Sequence, residues 1–457
     1  MTITRIRIVW LVLFGLISGA YWLSLNPIET TPALWALRKS LLYYSGVLAI
    51  GMMSIGMVLA MRLQSIESLL GGLDKHYRLH KWVGVSGVVF ALAHWLIKLG
   101  PKWLVHHQWV DAQTFKTPAG TAGFFDHTDF LHPVRGFAKD LGEWAIYALI
   151  ALALIALIKR FPYRAFFKTH RILPLVYLAL VFHSVVLFTK LGINSPIGYL
   201  TSLLMLCGVV GAAVSLRGKT GASHRCVGHL NRFEVHPNDG VTEVYVALDE
   251  HWPGHKPGQF AFVTFDPKEG AHPFSLSSAW GDSHEVRFYI KQLGDYTRLL
   301  PNALTIGQTV IIEGPYGRFD FEPANASQIW IAGGVGVTPF LARLEALGQQ
   351  TMADAEKPSS SDESSNVHCY LCVRHAESDL VTEVQRLAQL AKIRLTVVAS
   401  DRHESLTGTR IRAENPDWLK REIWFCGPAG LGQAIKQDLL QNGFSSQHFH
   451  QELFAMR

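Results

Sequence analysis

Cysteine is scarce in this sequence, with five residues among 457. That excludes a disulfide scaffold. Charge is thin as well, at 17% of residues against 49% hydrophobic. A chain this apolar is not intrinsically disordered over most of its length. Acidic residues are nearly missing from its longest apolar runs, Glu143 at one edge excepted, which argues against an ion or proton channel lined by carboxylates. The net charge of +6 hides a split: residues 1–217 carry 20 Lys/Arg against 8 Asp/Glu, a surplus of +12, and the remainder is −6. A basic, apolar half followed by an acidic, ordinary half does not describe a nucleic-acid protein with one basic face. It describes a membrane domain joined to a soluble one.

What is present are six apolar runs, at about 8–24, 42–61, 80–98, 143–158, 172–189 and 196–215. Each is near the ~20 residues that cross ~30 Å of hydrocarbon. The first follows Arg5 and Arg7 and passes Ser18-Gly19-Ala20, as a signal peptide would. Its continuation through Tyr21, Trp22 and Leu23 favours a retained helix. The 62–81 connection holds Arg62, Lys75, Arg78 and Lys81, and 159–171 holds Lys159, Arg160, Arg164, Lys168 and Arg171. Short, strongly positive connections belong on the cytoplasmic side. Six spans then put the acidic half in the cytoplasm and the 99–142 segment outside.

Histidine inside a membrane is costly and usually functional. His80 and His94 lie 14 residues apart in the third run, and His170 and His183 lie 13 apart at the start of and within the fifth. Fourteen residues return to nearly the same helix face, about 40° short, whereas thirteen do not. The fifth span must therefore be distorted, and Pro174 supplies a cause. The third and fifth spans run the same way, so His80 matches His170 in depth and His94 matches His183. One such histidine alone reads as a hydrogen-bonded polar residue of a bundle. Four at matched depth and spacing read as two bis-imidazole haem sites, one per leaflet. Gly84 and Gly87 offer small surfaces for a macrocycle, and His76, the rival ligand one turn before His80, reads as solvated in the basic connection or near a propionate. The outer His106, His107, Asp111, Asp126, His127, Asp129 and His132 read as an ordinary solvated loop rather than a metal site.

After Arg217-Gly218-Lys219 the sequence turns soluble. Short alternating strands at 232–235, 243–246, 260–263, 286–290 and 310–312 predict a small antiparallel β-barrel. From about 326 strands and helices alternate, predicting an open parallel α/β sheet. The strand at 329–332 runs into Gly333-Gly334-Val335-Gly336-Val337-Thr338-Pro339. With Thr338 as N-cap and Pro339 at the first helical position, this reads as a phosphate site at a helix N-terminus, although it does not follow GxGxxG. Cys426-Gly427-Pro428 closes a later strand at the sheet edge where ligands bind. Gly294-Asp295-Tyr296-Thr297 is a turn suited to phosphate. Residues 353–366 read as a flexible polar loop. Cys369 and Cys372 point to opposite faces of a strand, so they hold no cluster.

Together these features resemble the ferric reductase and NADPH oxidase superfamily of transmembrane flavocytochromes, over nearly the whole chain. The four histidines match the family's membrane pattern, and Arg135…Gly142-Glu143-Trp144 is similar to bacterial members. Pro257-Gly258-Gln259-Phe260, His272-Pro273-Phe274-Ser275-Leu276-Ser277-Ser278, the 294–297 turn, Gly314-Pro315-Tyr316-Gly317, the 333–339 turn and Cys426-Gly427-Pro428 follow in family order. The resemblance implies that His272, Pro273, Phe274 and Ser275 hold FAD, with Ser275 near the isoalloxazine. It assigns Ser277, Ser278, Gly294 and Thr297 to the diphosphate. Gly333, Gly334, Gly336, Thr338 and Pro339 would bind NADPH or NADH, Cys426, Gly427 and Pro428 would approach the nicotinamide, and Phe454 would cover the flavin ring. Arg374 reads equally as a ligand for a ribose 2′-phosphate and as a surface residue.

The resulting expectation is a multi-domain membrane protein of the bacterial inner membrane. Residues 1–217 form a six-helix bundle with two b-type haems, 222–322 an FAD barrel and 326–457 a nucleotide-binding α/β domain. Electrons from cytoplasmic NAD(P)H would pass through FAD and the haems to an acceptor outside: dioxygen, a ferric chelate, a quinone or a periplasmic protein. No nucleic acid and no obligate protein partner is expected. The alternative is a membrane-anchored flavin reductase serving a quinone or a partner protein.

Overall fold

The computed structural model describes residues 3–25, 33–111, 131–158, 161, 163–188, 194–249, 252–323, 326–354 and 366–452. The chain divides into two compact units between Thr220 and Gly221.

The first unit is helical: α1 (Ile3–Leu23), α2 (Ala33–Ala60), α3 (Gln64–Leu70), α4 (Leu73–His106), α5 (Arg135–Leu157), α6 (Tyr163–His170), α7 (Leu173–Phe188) and α8 (Pro196–Leu216). Six segments are long and apolar enough to cross a membrane, with α6 and α7 together supplying the fifth. Small residues let these helices approach closely, as bundles in lipid require. A Cβ on Gly87 of α4 would stand 2.9 Å from Met53 Cγ of α2, so Gly87 serves helix packing rather than a macrocycle. Gly84, by contrast, has open space around it. On α8, Gly208 and Gly211 lie against Ser54 and Met57 of α2. Ser54 also shares a 2.8 Å hydrogen bond with Tyr177 of α7.

Several helix boundaries differ from the hydropathy reading: α2 and α5 start well before their apolar runs, and α4 overruns its run at both ends. At 34 residues α4 spans about 51 Å, well beyond the hydrocarbon thickness. Lys75, Arg78 and Lys81 are therefore helical, and the helix continues through Pro101 to His106. His76 is fully buried, with its Nε2 2.6 Å from the Leu59 carbonyl, not solvated in a loop. Apolar runs mark hydrocarbon, whereas helix ends follow backbone geometry: Gly71 in the left-handed region stops α3, and α4 starts at once. The expected distortion of the fifth span is a break at Arg171-Ile172 between α6 and α7. Pro174 falls in the first turn of α7, where its missing N–H costs nothing.

The second unit begins with β1 (Arg225–His236), β2 (Val241–Leu248), β3 (Phe260–Thr264), β4 (His272–Ser275), β5 (Glu285–Lys291), α9 (Asp295–Ala303) and β6 (Thr309–Tyr316). The six strands form an antiparallel sheet ordered β4-β3-β6-β1-β2-β5. A bridge between Leu276 and Phe288 brings the chain after β4 onto β5, the opposite edge. Val244, Val263, Leu276, Phe288 and Ile312 fill its interior. There follow β7 (Gln328–Gly333), α10 (Thr338–Asp354), β8 (Val367–Val373), α11 (Asp379–Leu390), β9 (Arg394–Ala399), α12 (Gly408–Glu414), β10 (Glu422–Cys426), α13 (Ala429–Gln441) and β11 (Phe449–Gln451). These five strands run parallel in the order β11-β10-β7-β8-β9. Cys369 lies in the core on one face and Cys372 packs against the core on the other, as strand alternation requires. The short α12 and β11 carry no signal that alternation alone would flag.

Candidate functional site

The four membrane histidines come together in two pairs. His80 of α4 faces His170 at the end of α6, with ring centres 6.2 Å apart. His94 of α4 faces His183 of α7 at 6.4 Å. A metal ion between two imidazoles, with bonds of about 2 Å on each side, sets ring centres roughly 6 Å apart. The residues present fit that arrangement.

Their orientation is fixed from behind. His80 Nδ1 lies 3.0 Å from the Gly56 carbonyl and His94 Nδ1 2.8 Å from the Leu42 carbonyl, both on α2. His183 Nδ1 lies 2.7 Å from the Ala138 carbonyl of α5. A carbonyl can only accept, so each Nδ1 carries the proton and each Nε2 keeps its lone pair for a ligand. Leu42 and Gly56 are 14 residues apart, as are His80 and His94 on the antiparallel α4. One helix thus holds both rings of the other in register. Glycines supply the room: a Cβ on Gly46 would stand 3.0 Å from His94 Nδ1, and one on Gly142 would overlap the His183 ring. Sequence reading missed Gly46, Leu42, Gly56 and Ala138, because a backbone carbonyl has no residue signature. Of the outer polar residues, Asp126, His127 and Asp129 lie outside the described residues.

In the second unit the His272–Ser275 strand lines the sheet edge. The His272 ring stacks on Tyr296 at 4.4 Å, an aromatic partner that sequence reading did not single out. Burial, with Asp266 and Glu269 nearby, pushes the Tyr296 phenol up. Ser275 is buried opposite Phe260. Ser277 and Ser278 are turned inward: Ser277 Oγ donates to the Arg287 carbonyl at 2.8 Å, and Ser278 Oγ accepts from the Arg287 N–H at 3.1 Å. Gly294 caps α9, and Thr297 Oγ1 accepts from the backbone N–H groups of Leu293 and Gly294, each at 3.1 Å. All three hydroxyls are thus engaged in local structure.

At the C-terminal edge of the parallel sheet two predicted motifs interlock. β7 and β10 are neighbours, with Ala332 opposite Cys426. A Cβ on Gly427 would stand 2.9 Å from Gly333 Cα, and one on Gly336 would overlap the Cys426 carbonyl. Gly334 has φ +55, a conformation glycine adopts freely. The expectation of Thr338 as N-cap is corrected. A 3₁₀ turn over Gly334–Val337 runs straight into α10, so Thr338 already has helical dihedrals and its hydroxyl donates to the Val335 carbonyl at 3.1 Å. Pro339 follows in the first turn. Cys426 is fully buried, and burial, reinforced by the Glu452 carboxylate, pushes its thiol well above the ordinary value. Lys291, at the end of β5, brings its Nζ to 3.7 Å from the Cβ position of Gly334, placing a cation beside the turn. Arg374 is exposed just beyond β8, where its carbonyl accepts from the Asp401 N–H at 3.0 Å. Pro428 precedes α13. Phe454 lies outside the described residues.

Comparison with known proteins adds the following. Residues 45–181 match the family of ferric reductase like transmembrane components, and residues 234–320 match an FAD-binding domain family. The reductase subunit of glycine betaine monooxygenase from Chromohalobacter salexigens is 26% identical over 216 residues, covering 44% of this chain and 56% of that protein. The electron transfer component of anthranilate 1,2-dioxygenase from Acinetobacter baylyi is 25% identical, covering 43% of this chain and 57% of that protein. The match therefore spans little more than half of these relatives. Among solved structures, flavohemoglobin from Malassezia yamatoensis aligns over 97% of this chain and 98% of that one, at 16% identity and a TM-score of 0.46. With a ferric-reductase-like transmembrane component followed by an FAD-binding domain, the chain matches the ferric reductase and NADPH oxidase type of flavocytochrome.

Proposed function

We propose that the protein carries electrons from cytoplasmic NAD(P)H through FAD and two bis-histidine haems to an acceptor outside the membrane, either dioxygen, giving superoxide, or ferric iron. The observation that carries this reading is the pairing of His80 with His170 and His94 with His183 at the spacing of a shared metal. When bound, FAD supplies the conversion of a two-electron hydride donor into single electrons that haem iron can pass on. The chain's own residues do the positioning. The Gly56, Leu42 and Ala138 carbonyls hold three imidazoles with Nε2 presented. His272, Pro273, Phe274 and Ser275 line the flavin edge, with Tyr296 stacked behind His272. Ser277 and Ser278 tie that edge to β5 through Arg287, beside where the diphosphate would lie. Gly333, Gly334 and Gly336 let a dinucleotide approach the backbone, Lys291 adds positive charge, and Cys426, Gly427 and Pro428 form the facing wall. The protonated Cys426 thiol fills space and is no nucleophile. The basic connections around 62–81 and 159–171 orient the soluble half to the cytoplasm.

The test is anaerobic addition of NADPH to purified protein loaded with haem and FAD. The Soret band is expected to shift to its reduced position. A static Soret band, with flavin bleaching intact, would favour the anchored flavin reductase instead. The similarity to a reductase subunit and an electron transfer component of oxygenases gives that second reading its weight.

Gly142→Ala tests the outer pair without touching a ligand. The new methyl overlaps the His183 ring, and overpacking of this kind costs about 1–3 kcal/mol. Partial loss of one haem, measured as haem per protein, is expected, with the other retained.

A further inference from the structure

The sheet face that β1, β2 and β5 turn toward the nucleotide-binding half carries an unusual charge pattern. Glu234 of β1 sits directly opposite Glu243 of β2 in the antiparallel register. Like charges directly opposite on a sheet destabilise the pairing. Glu243 is buried, so solvent offsets little of this repulsion. Two arginines compensate part of this charge at the outer range of an ion pair: Arg287 Nε is 3.8 Å from Glu243 Oε1, and Arg232 Nη1 is 4.0 Å from Glu234 Oε1. His236, two residues along β1 from Glu234, falls on the same face.

His236 stands between two carboxylates. Its Nδ1 is 3.2 Å from Asp379 Oδ2 at the start of α11, and its Nε2 is 3.2 Å from Glu243 Oε2. Glu243 Oε1 is held by the Tyr245 hydroxyl at 2.6 Å, which leaves Oε2 aimed at the imidazole. A neutral imidazole has one N–H. Given to Asp379, it leaves the Nε2 lone pair facing a carboxylate oxygen, a contact that a second ring proton or a cation must bridge. A charge-assisted N–H···O bond would close to about 2.7–2.9 Å. Two ligand atoms on one tetrahedral ion, with bonds of about 2.0–2.1 Å, stand roughly 3.3 Å apart. Ligand atoms of Glu234, His236 and Glu243 all lie within 4.8 Å of one another. A cavity of about 220 Å³, lined also by Asp239, Asp379, Glu383 and the cation Arg287, opens beside His236 and Glu243 and gives an ion and its water a way in.

We propose that Glu234, His236 and Glu243 form a binding site for one divalent cation of the zinc class at the seam between the FAD-binding and nucleotide-binding halves. One imidazole nitrogen with two carboxylate oxygens suits a borderline ion better than calcium or magnesium, which prefer oxygen alone. Asp379 is the positioning residue: it accepts a hydrogen bond from Nδ1–H and so fixes which nitrogen meets the metal, in the carboxylate–histidine–metal arrangement. A water completes the tetrahedron. Because Asp379 belongs to α11, the ion ties the two halves together. Sequence reading could not find the site, since its ligands are brought together by strand register across a hairpin and not by a compact motif.

The experiment titrates Zn2+ into chelator-stripped, purified full-length protein in competition with a chromophoric chelator. Wild-type protein is expected to take up one more Zn2+ than either Glu234→Gln or His236→Gln. Asp379→Asn is expected to weaken that uptake by about 10–100-fold. Zn2+ should raise the unfolding temperature of wild-type protein and leave that of Glu234→Gln unmoved. Glu234 is more than half exposed, so its variant decides the matter if His236→Gln fails to fold. Equal Zn2+ uptake by wild-type protein and a folded variant, or no uptake at all, overturns the proposal. Haem and flavin content, measured in the same samples, report separately on the electron-transfer reading.

Discussion

His94→Ala is expected to remove one haem of two and to stop electrons leaving the membrane domain. His94 and His183 face each other at 6.4 Å, and no other histidine ring is paired with His183 among the described residues. Loss of a partner that merely orients a metal-bound histidine costs about 10–100-fold in affinity, and loss of the ligand itself should cost more. Haem per protein should fall from about two to about one, and NAD(P)H-driven reduction of an outside acceptor should fall by more than about 100-fold. Reduction of a soluble dye by the flavin half should persist. His76→Ala is the control. His76 is buried against the Leu59 carbonyl, and its loss should destabilise the bundle while leaving both haems bound. Two haems in His94→Ala, or the loss of one in His76→Ala, would show that the ligands are misassigned.

Gly336→Ala strikes the other end of the proposed electron path. The added methyl overlaps the Cys426 carbonyl, and backbone there cannot move aside as a flexible side chain would. Either the Gly-rich turn or the Cys426-Gly427-Pro428 wall must shift. A displacement of about 1 Å at a hydride-transfer site costs about 100-fold in rate. Stopped-flow bleaching of the flavin by NADPH should slow by about that factor, while haem reduction by dithionite should not change. An unaltered hydride rate would place nucleotide binding elsewhere.

The sequence carried the pattern of both halves but not their joints. Six apolar runs and four histidines could be read because hydrocarbon thickness sets the length of a span and helix periodicity sets which histidines can face each other. The ends of α4 and the burial of His76 could not, because helix boundaries there depend on Gly71 and on backbone continuity through charged residues. The acceptors that hold the imidazoles are carbonyls of Leu42, Gly56 and Ala138, atoms that every residue possesses. In the second unit the order of motifs was legible, whereas the inward turn of Ser277 and Ser278 toward Arg287 depends on a long-range strand neighbour. Thr338 looked like a cap because nothing local announces that a 3₁₀ turn will run unbroken into α10.

The matching 14-residue intervals on α2 and α4 have a mechanical meaning. With Leu42 and Gly56 each holding one imidazole of α4, the pair of helices works as a vernier with two marks aligned at once. Any slide of one helix along the other takes both rings off their carbonyl supports together. The basicity of His80 and His94 as ligands would therefore change together, and any metal held at one pair would feel a shift of the helices at the same moment as a metal held at the other.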